Sequence, residues 1–206
     1  MDFAELARAF DAEVVWSAAG KSRTPLRFTI EREGASVHAY PELVESDCVG
    51  VVFAVESAAT RRLPRVVLRE EGALDRGGKS LGINEEIQLD DPAFDDAVYV
   101  ASEAPALAIR ELLADSKARA AVVTALAGPA EELVLGDGRV GALIAASELQ
   151  DPRAAAIEQT LAAITRVAAT LVAPSARALR QKSAARSGRA LFMLSGSWLA
   201  LLIVAA

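Results

Sequence analysis

The densest group of side chains that could do chemistry in this sequence is acidic. Carboxylate clusters hold calcium or magnesium, and paired carboxylates can act as acid and base in hydrolysis. The calcium-loop spacing is absent, and Asp91-Pro92 is typical of a turn whose aspartates cap backbone N–H groups. We therefore favour turn architecture and expect no metal, with a carboxylate- or metal-dependent hydrolase as the alternative. The cluster consists of Asp90, Asp91, Asp95 and Asp96, with Glu85 and Glu86 shortly before it.

Two other sets of residues match catalytic motifs only in part. Gly77-Gly78-Lys79-Ser80 has the end of a phosphate-binding loop, but Ala73 stands where that motif needs its first glycine, and Gly82 interrupts the helix that should follow. His38 is the only histidine; it alternates with apolar residues in a predicted strand and should point outward. Cys48 is the only cysteine, and nothing nearby in sequence activates its thiol. We expect no catalytic site of either kind and no cofactor.

Charge is divided unevenly along the 206 residues. The first 158 carry 28 acidic and 16 basic residues, a net charge of −12, whereas the remainder carries +6 and no acid. An acidic domain is a poor partner for nucleic acid, which requires neutralisation of phosphates. A single cysteine excludes an intramolecular disulfide and fits a reducing compartment.

The C-terminal seventeen residues, 190–206, are uncharged and follow a basic stretch at 177–189. As a helix they would span roughly 26 Å, which predicts a transmembrane helix. The N-terminus has no signal-peptide features, so the basic flank predicts a single-pass protein of the cytoplasmic membrane with its N-terminal domain facing the cytoplasm. A buried C-terminal helix of a soluble protein is the alternative, and the run could equally be the first span of a longer protein.

Basic and apolar residues of this region are the predicted contacts with the bilayer. Basic side chains beside an apolar helix attract anionic lipid headgroups, which we expect as partners. The division predicted is an α+β domain over 1–173, a basic juxtamembrane linker over 174–189 and the transmembrane helix over 190–206. The membrane-interacting residues are Arg177, Arg180, Lys182, Arg186, Arg189, Leu191, Phe192, Trp198, Leu199 and Leu202.

Periodicity upstream predicts the elements that would position any site. A short amphipathic helix capped by Asp2 comes first, then strands at 26–33 and 35–40 that form a hairpin through Gly34, and further strands at 49–55, 65–70 and 97–101. Helices follow from Pro105, divided near Asp115 with Ser116 as the second cap, then a hairpin around 136–138 and a long helix from Pro152 to about Val172. Strands and helices are segregated, so we expect an α+β fold with an antiparallel or mixed sheet.

The long helix carries an apolar stripe with spacings of four and three residues. Such a stripe either docks onto the domain's own sheet or joins copies of a membrane-tethered chain into a homo-oligomer. The self-association candidates are Ile157, Leu161, Ile164, Ala168 and Leu171.

The segment from Leu74 to Leu126 contains a short acidic turn at Asp91, then Phe94-Asp95, a strand with Tyr99-Val100, and a helix that carries Arg110 and Leu112-Leu113. In this order it resembles an uncharacterised family of bacterial membrane-anchored proteins. That family typically has a glycine before the acid of the turn, where Asp90 stands here. The resemblance covers about a quarter of the chain and implies a membrane-associated α+β domain without an assigned reaction.

Together these observations predict a membrane-tethered cytoplasmic interaction or scaffold domain with no recognisable catalytic site. The alternative is a membrane-bound hydrolase that uses the carboxylates of Asp90–Asp96. A third possibility is the cytoplasmic portion of a larger multi-span protein.

Overall fold

The computed structural model describes residues 1–17, 24–32, 34–44, 47–72 and 87–181. Within them the chain has an α+β fold built on one antiparallel sheet of eight strands, in the order β1-β2-β3-β4-β8-β7-β5-β6. The predicted fold class is thus confirmed, and its sheet is antiparallel. The strands are β1 (Val15–Trp16), β2 (Pro25–Arg32), β3 (Ala35–Val44), β4 (Asp47–Glu56), β5 (Val66–Glu70), β6 (Val98–Ser102), β7 (Ala130–Gly136) and β8 (Arg139–Ala145).

Helices flank the strands and pack mainly on one side of the sheet. Two 3-10 turns, Ala58–Thr60 and Glu148–Gln150, follow β4 and β8. The helices are α1 (Phe3–Ala9), α2 (Pro92–Asp95), α3 (Ala106–Leu112), α4 (Ser116–Leu126), α5 (Ala155–Thr170) and α6 (Ala176–Arg180).

Tight turns form where the sequence places glycine between alternating strands. Gly34 has a φ of 78° directly before β3, and the β7–β8 hairpin turns through Asp137 and Gly138 with φ of 49° and 78°. Two consecutive residues with positive φ are typical of the hairpin turn that matches the twist of the flanking strands. Both predicted hairpins are therefore confirmed.

The core lies between one face of the sheet and helices α1, α4 and α5. At the N-terminal end of this core Phe28 on β2 packs against Phe3, Phe10 and Phe53, with ring centroids 5.0, 6.0 and 6.4 Å away. Tilted and edge-on contacts at these distances add to the gain from burying the rings. The amphipathic helix α1 is thus joined to the sheet by its aromatic side chains.

The apolar stripe of α5 packs into this same core. Ile157, Leu161 and Ile164 are fully buried, Leu171 is 9% exposed, and Ala168 packs against the core. The sequence allowed two arrangements of this stripe, packing on the chain's own sheet or self-association. In the structure it packs on the chain's own sheet. A homo-oligomer through these five residues would require α5 to leave that sheet, because their side chains are already enclosed.

Two predicted helix starts differ from the structure. The long helix begins at Ala155, with Pro152 in the preceding turn, and it ends at Thr170. Helix α4 is capped by Asp115, whose Oδ1 accepts a hydrogen bond from the backbone N–H of Lys117 at 2.8 Å; Ser116 is already helical. The aspartate takes this role because its backbone is extended, which is the conformation that a capping residue needs.

The beginning of the predicted linker is folded. Helix α6 lies against α3, Ala178 is fully buried, and Ser175 donates a backbone and a hydroxyl hydrogen bond to the Glu111 carboxylate at 2.6 and 3.1 Å. The predicted transmembrane helix at 190–206 lies outside the described residues. Among the helices that the structure describes, none has the length and apolar character needed to cross a bilayer.

We expect Phe28→Ala to lower the free energy of unfolding by about 3–5 kcal/mol, because it removes a fully buried ring that three other rings contact. Urea denaturation followed by circular dichroism measures this loss. Leu26→Ala on the same strand is the matched control: Leu26 is 41% exposed, and its loss should cost less than about 0.5 kcal/mol. Equal losses for both variants would contradict this description of the core.

Candidate functional site

The central carboxylates of the predicted acidic cluster are engaged within the fold. Asp91 caps α2 by accepting a hydrogen bond from the Phe94 N–H at 3.4 Å, and its other oxygen accepts one from Arg119 Nε at 2.7 Å. Asp95 accepts backbone hydrogen bonds from Leu89 at 2.9 Å and from Asp91 at 3.2 Å. The Arg119 guanidinium, helped by backbone donors, lowers the pKa of Asp91. These contacts fit turn architecture.

The outer members of the cluster stand apart from this network. Asp90 and Asp96 are exposed, and Asp90 has a φ of 59° in the turn. Glu85 and Glu86 lie outside the described residues, as does the partial phosphate-loop motif at 77–80. No group of three or more metal-ligating side chains occurs in the part of the chain that the structure describes.

His38 and Cys48 lie on opposite faces of the sheet. His38 points away from the core, as predicted, and its Nδ1 is 2.9 Å from the Thr29 hydroxyl; burial, followed by the charge of Arg27, lowers its pKa. Cys48 is part of the core, where its thiol donates to the Gly50 carbonyl at 3.3 Å and burial raises its pKa. The fold therefore does not bring the two side chains together.

Sequence analysis missed the face of the sheet opposite the core, here called the outer face. Ala54, Val67 and Leu143 are buried on it although they do not belong to the core cluster. The strand register places polar residues next to these three on the same face, so the outer face carries both apolar and polar side chains. Its central residues are His38, Tyr40, Glu42, Gly50, Val52, Ala54, Val67, Arg69, Glu132, Val134, Gly141 and Leu143.

Two carboxyl groups are buried on this outer face. Glu42 is 9% exposed and makes no hydrogen bond to any described residue. Burial raises its pKa, and the nearby charge of Glu132 raises it further. The side chain of Glu132 is 16% exposed; burial raises its pKa, which Arg65, with Nη2 at 3.9 Å from Glu132 Oε1, opposes.

Several buried polar atoms on or beside this face lack hydrogen-bond partners. Within the described residues these are Tyr40 Oη, Arg65 Nε and Glu132 Oε1. The ring of Tyr40 lies beside the Arg139 guanidinium and the His38 ring, at 5.5 and 6.5 Å from its centroid. Buried polar groups normally have a partner, and one without a protein partner is completed by water, an ion or a ligand. Their grouping makes the outer face the candidate site.

A glycine in the middle of β4 makes room for Glu42. Glu42 pairs with Gly50 across β3–β4, and a Cβ atom added at Gly50 would lie 3.5 Å from Glu42 Oε2 and 3.1 Å from a Leu143 methyl. On the far side of Leu143, Glu132 pairs with that residue across β7–β8. The two glutamates therefore lie on the same face, three strand spacings apart across the sheet and two residues apart along it, which separates their backbones by roughly 16 Å.

Only a weak sequence signal pointed to this site. A glycine within an apolar strand, as at Gly50, indicates a close approach by another group. Glu42 and Glu132 lie in different strands, ninety positions apart, and Glu132 is the second of two adjacent glutamates. Isolated polar residues in alternating strands are typical of a solvated face, which is how sequence analysis treats them.

A second feature is a basic cleft at the end of the fold where α6 packs. It has a volume of ≈ 300 Å³ and is lined by Leu107, Arg177, Arg180 and Gln181. Both arginines are exposed, three positions apart on α6. They are the described members of the predicted membrane-interacting set; the others, Lys182, Arg186, Arg189, Leu191, Phe192, Trp198, Leu199 and Leu202, lie outside the described residues.

Comparison with known proteins gives a distant structural similarity. The chain matches no family model and no curated protein. The crystal structure of the mycobacterial trehalose monomycolate transport factor A, TtfA, aligns with 79% of this chain and 88% of its own chain, with a TM-score of 0.44 and 15% identity. A likeness at this level carries no functional argument for this chain. The resemblance of residues 74–126 to an uncharacterised bacterial family stays a prediction.

We expect Asp91→Ala to lower the thermal midpoint of unfolding, because it removes the cap of α2 and leaves the Arg119 guanidinium without its carboxylate. Asp96→Ala is the control: it makes the same charge change at an exposed residue and should leave the midpoint nearly unchanged. Differential scanning calorimetry compares the two. If Asp91→Ala kept full stability but abolished binding of Mn²⁺, the hydrolase alternative would gain over turn architecture.

We expect Glu42→Gln to stabilise the protein increasingly as pH rises. The pKa of Glu42 is raised by folding, so the wild type has no penalty below the unfolded pKa and loses stability as pH rises through the folded pKa. Glutamine stays neutral. The gain in urea midpoint should be close to zero at about pH 4 and largest at about pH 8.

Glu56→Gln is the matched control for this pH series, since Glu56 is an exposed carboxylate on β4 at the same face of the sheet. It should shift the midpoint little at either pH. A gain for Glu42→Gln that is equal at both pH values would show that the carboxylate is solvated in the folded protein.

Proposed function

We propose that this chain is a membrane-tethered cytoplasmic interaction domain that binds a partner protein through the outer face of its sheet. The observation that carries the proposal is the outer face itself, where buried carboxyl groups and unpartnered polar atoms lie among apolar side chains. Surfaces that bind other proteins typically combine apolar side chains with polar groups that form hydrogen bonds to the partner.

The charge of the C-terminal region and its position in the fold support the proposed attachment to a membrane, here called the tether. Helix α6 ends at Arg180, next to α3, and the chain beyond carries only basic charges before the uncharged run at 190–206. Each basic residue near an anionic membrane contributes about 1 kcal/mol of attraction. The exposed Arg177 and Arg180 at this end of the fold would face the headgroups, and the same basic flank favours the cytoplasmic side.

Interaction is favoured over hydrolysis by what the acidic residues already do. Asp91 and Asp95 accept hydrogen bonds from backbone amides and from Arg119, so their oxygens are occupied in holding the turn before β6. A catalytic pair would need oxygens that are free to reach a substrate and its water. Glu132 Oε1, by contrast, is buried without a hydrogen bond among the described residues.

Membrane fractionation tests the tether. We expect the full chain in the membrane pellet, resistant to extraction by high salt and alkaline carbonate, and a chain ending at Gln181 in the supernatant. That truncation keeps α6, whose Ala178 is part of the core, so the shortened chain should remain folded. Protease added from the cytoplasmic side should cleave the domain, and protease added from outside should not.

Photo-crosslinking in intact cells tests the partner face. A photoreactive residue at Val52, half-buried on the outer face, should form a discrete adduct, whereas one at the exposed Gln159 of α5 should not. Recovery of the full chain in the soluble fraction would exclude the tether. Adducts of equal yield at both positions would exclude the outer face as the specific surface.

A further inference from the structure

We infer that the basic cleft beside α6 binds the phosphate group of an anionic phospholipid, held by Arg177 and Arg180. This inference rests on the proposed tether and adds to it the chemistry of the lipid that the domain recognises at the membrane. It follows from the placement of the two arginines, from their lack of acidic partners, and from the length of chain between the cleft and the uncharged run at 190–206.

The two arginines belong to a helix that is itself fixed to the fold. Helix α6 packs against α3, its Ala178 is fully buried, and Ser175 at its start is hydrogen-bonded to Glu111 near the end of α3. The other end of α6 lines the cleft together with Leu107, which lies near the start of α3. The two helices therefore run in opposite directions, and the cleft lies at the C-terminal end of α6.

The spacing of the arginines suits a single shared ligand. Arg177 and Arg180 are three positions apart on α6, which places their Cβ atoms about 5–6 Å apart on one side of the helix, and both line the cleft. A guanidinium presents a planar fork of N–H donors that matches two oxygens of a phosphate. Gln181 adds an amide whose N–H groups can donate to a further oxygen.

Neither arginine is neutralised by an acid of the described residues. No carboxylate among them lies within ion-pair distance of Arg177 or Arg180, and neither side chain donates a hydrogen bond to another described residue. Glu111, the acid of α3 that reaches α6, accepts its hydrogen bonds from Ser175. The donors at the cleft are therefore open to an anion from outside the chain. Arginines that do pair with a carboxylate elsewhere in the fold include Arg32, Arg119 and Arg153.

Apolar side chains near the arginines favour a lipid over a free phosphate ion. Leu107 supplies an apolar wall of the cleft, and Val172, at the other end of α6, is 47% exposed. A phosphate ion gains nothing from such contacts, whereas the glyceride portion of a lipid buries apolar area against them. The volume of ≈ 300 Å³ is at the lower end of the range for small-molecule sites, which suits a headgroup.

The chain beyond the cleft keeps it close to the membrane surface. Nine residues separate Gln181 from Ala190, where the uncharged run begins, and a fully extended chain of that length spans at most about 32 Å. In a chain tethered through 190–206, the cleft therefore lies within this distance of the headgroups. A site of modest affinity is occupied under such conditions, because the tether gives it a high effective concentration of lipid.

Lipid binding to the full chain in non-ionic detergent tests this inference. The probe is dihexanoyl phosphatidylglycerol, a short-chain anionic lipid. Its control is dihexanoyl phosphatidylcholine, which has the same phosphodiester and acyl chains but a zwitterionic headgroup. Methyl NMR of Leu107 follows binding at the cleft. We expect the anionic lipid to shift the Leu107 methyls and to bind about tenfold more tightly than the zwitterionic lipid, as the loss of one charge-assisted contact implies.

Inorganic phosphate distinguishes a lipid site from a site for a free anion. It carries the same oxygens without the glyceride portion, so it should bind more weakly than phosphatidylglycerol. Equal affinity for the phosphate ion and the anionic lipid would show a site for a free anion and overturn the inference, as would equal affinity for the two lipids.

Variants locate the binding to the two arginines. Arg177→Gln and Arg180→Gln should each weaken the anionic lipid about tenfold. Arg177→Lys keeps the charge but loses the planar fork, so its affinity should lie between those of the wild type and Arg177→Gln. Arg8→Gln is the matched control, since Arg8 is an exposed arginine of α1, which contacts β2 near the other edge of the sheet. It should bind like the wild type.

Methyl spectra of each variant verify that it is folded, which exposed positions should preserve. Glutamine variants at both arginines that bind the anionic lipid like the wild type would overturn the inference.

The result separates this inference from the proposed function, because the short-chain probe reaches the cleft without the tether. If the full chain stays in the membrane pellet but Leu107 does not respond to the anionic lipid, the lipid site is wrong and the tether stands. If the anionic lipid binds through Arg177 and Arg180 while the full chain is recovered in the soluble fraction, the lipid site stands and the tether does not.

Discussion

The antiparallel pairing of β4 with β8 holds the rest of the structure together. It joins the N-terminal meander, β1 to β4, to the strands that come from the second half of the chain, and seven residue pairs from Gly50–Ala145 to Glu56–Arg139 define its register. Side chains alternate between faces along a strand, so a shift of one residue would turn Phe53 out of the core and Ala54 into it. Burial of Phe53 therefore determines this register.

The same register creates the outer face. With β4 and β8 at the centre, Glu42 on β3 and Glu132 on β7 are carried to the two flanks of Gly50 and Leu143, although they belong to different halves of the chain. The core face of the sheet is covered by α5 and by the aromatic cluster around Phe28, so its apolar side chains are buried by other parts of the same chain. The outer face retains buried polar atoms without partners, which is the feature that connects the fold to an interaction.

Departures from local rules are concentrated on that outer face. A buried glutamate and a mid-strand glycine both reduce the stability of an isolated sheet, because one requires desolvation of a carboxyl group and the other removes packing. Natural proteins retain such features chiefly where they serve binding or catalysis. On the core face, in contrast, alternation, aromatic packing and the stripe of α5 agree with one another.

Local patterns in the sequence determined the elements: alternation predicted β2, an apolar run predicted β4, glycines marked the hairpins, and three-four spacing predicted the apolar stripe of α5. These predictions are confirmed because each element depends on residues within a few positions of one another in the sequence. The cap of α4 and the start of α5 differed by one to three residues, since adjacent residues compete for the same capping role.

Tertiary structure alone decided strand order and the candidate site. Sequence spacing carries no information on which strand pairs with which across 90 residues, and thus none on the placement of Glu42 and Glu132 on one face of the sheet. It also decided that the stripe of α5 faces its own sheet, because only the assembled core shows which apolar surface remains to be covered.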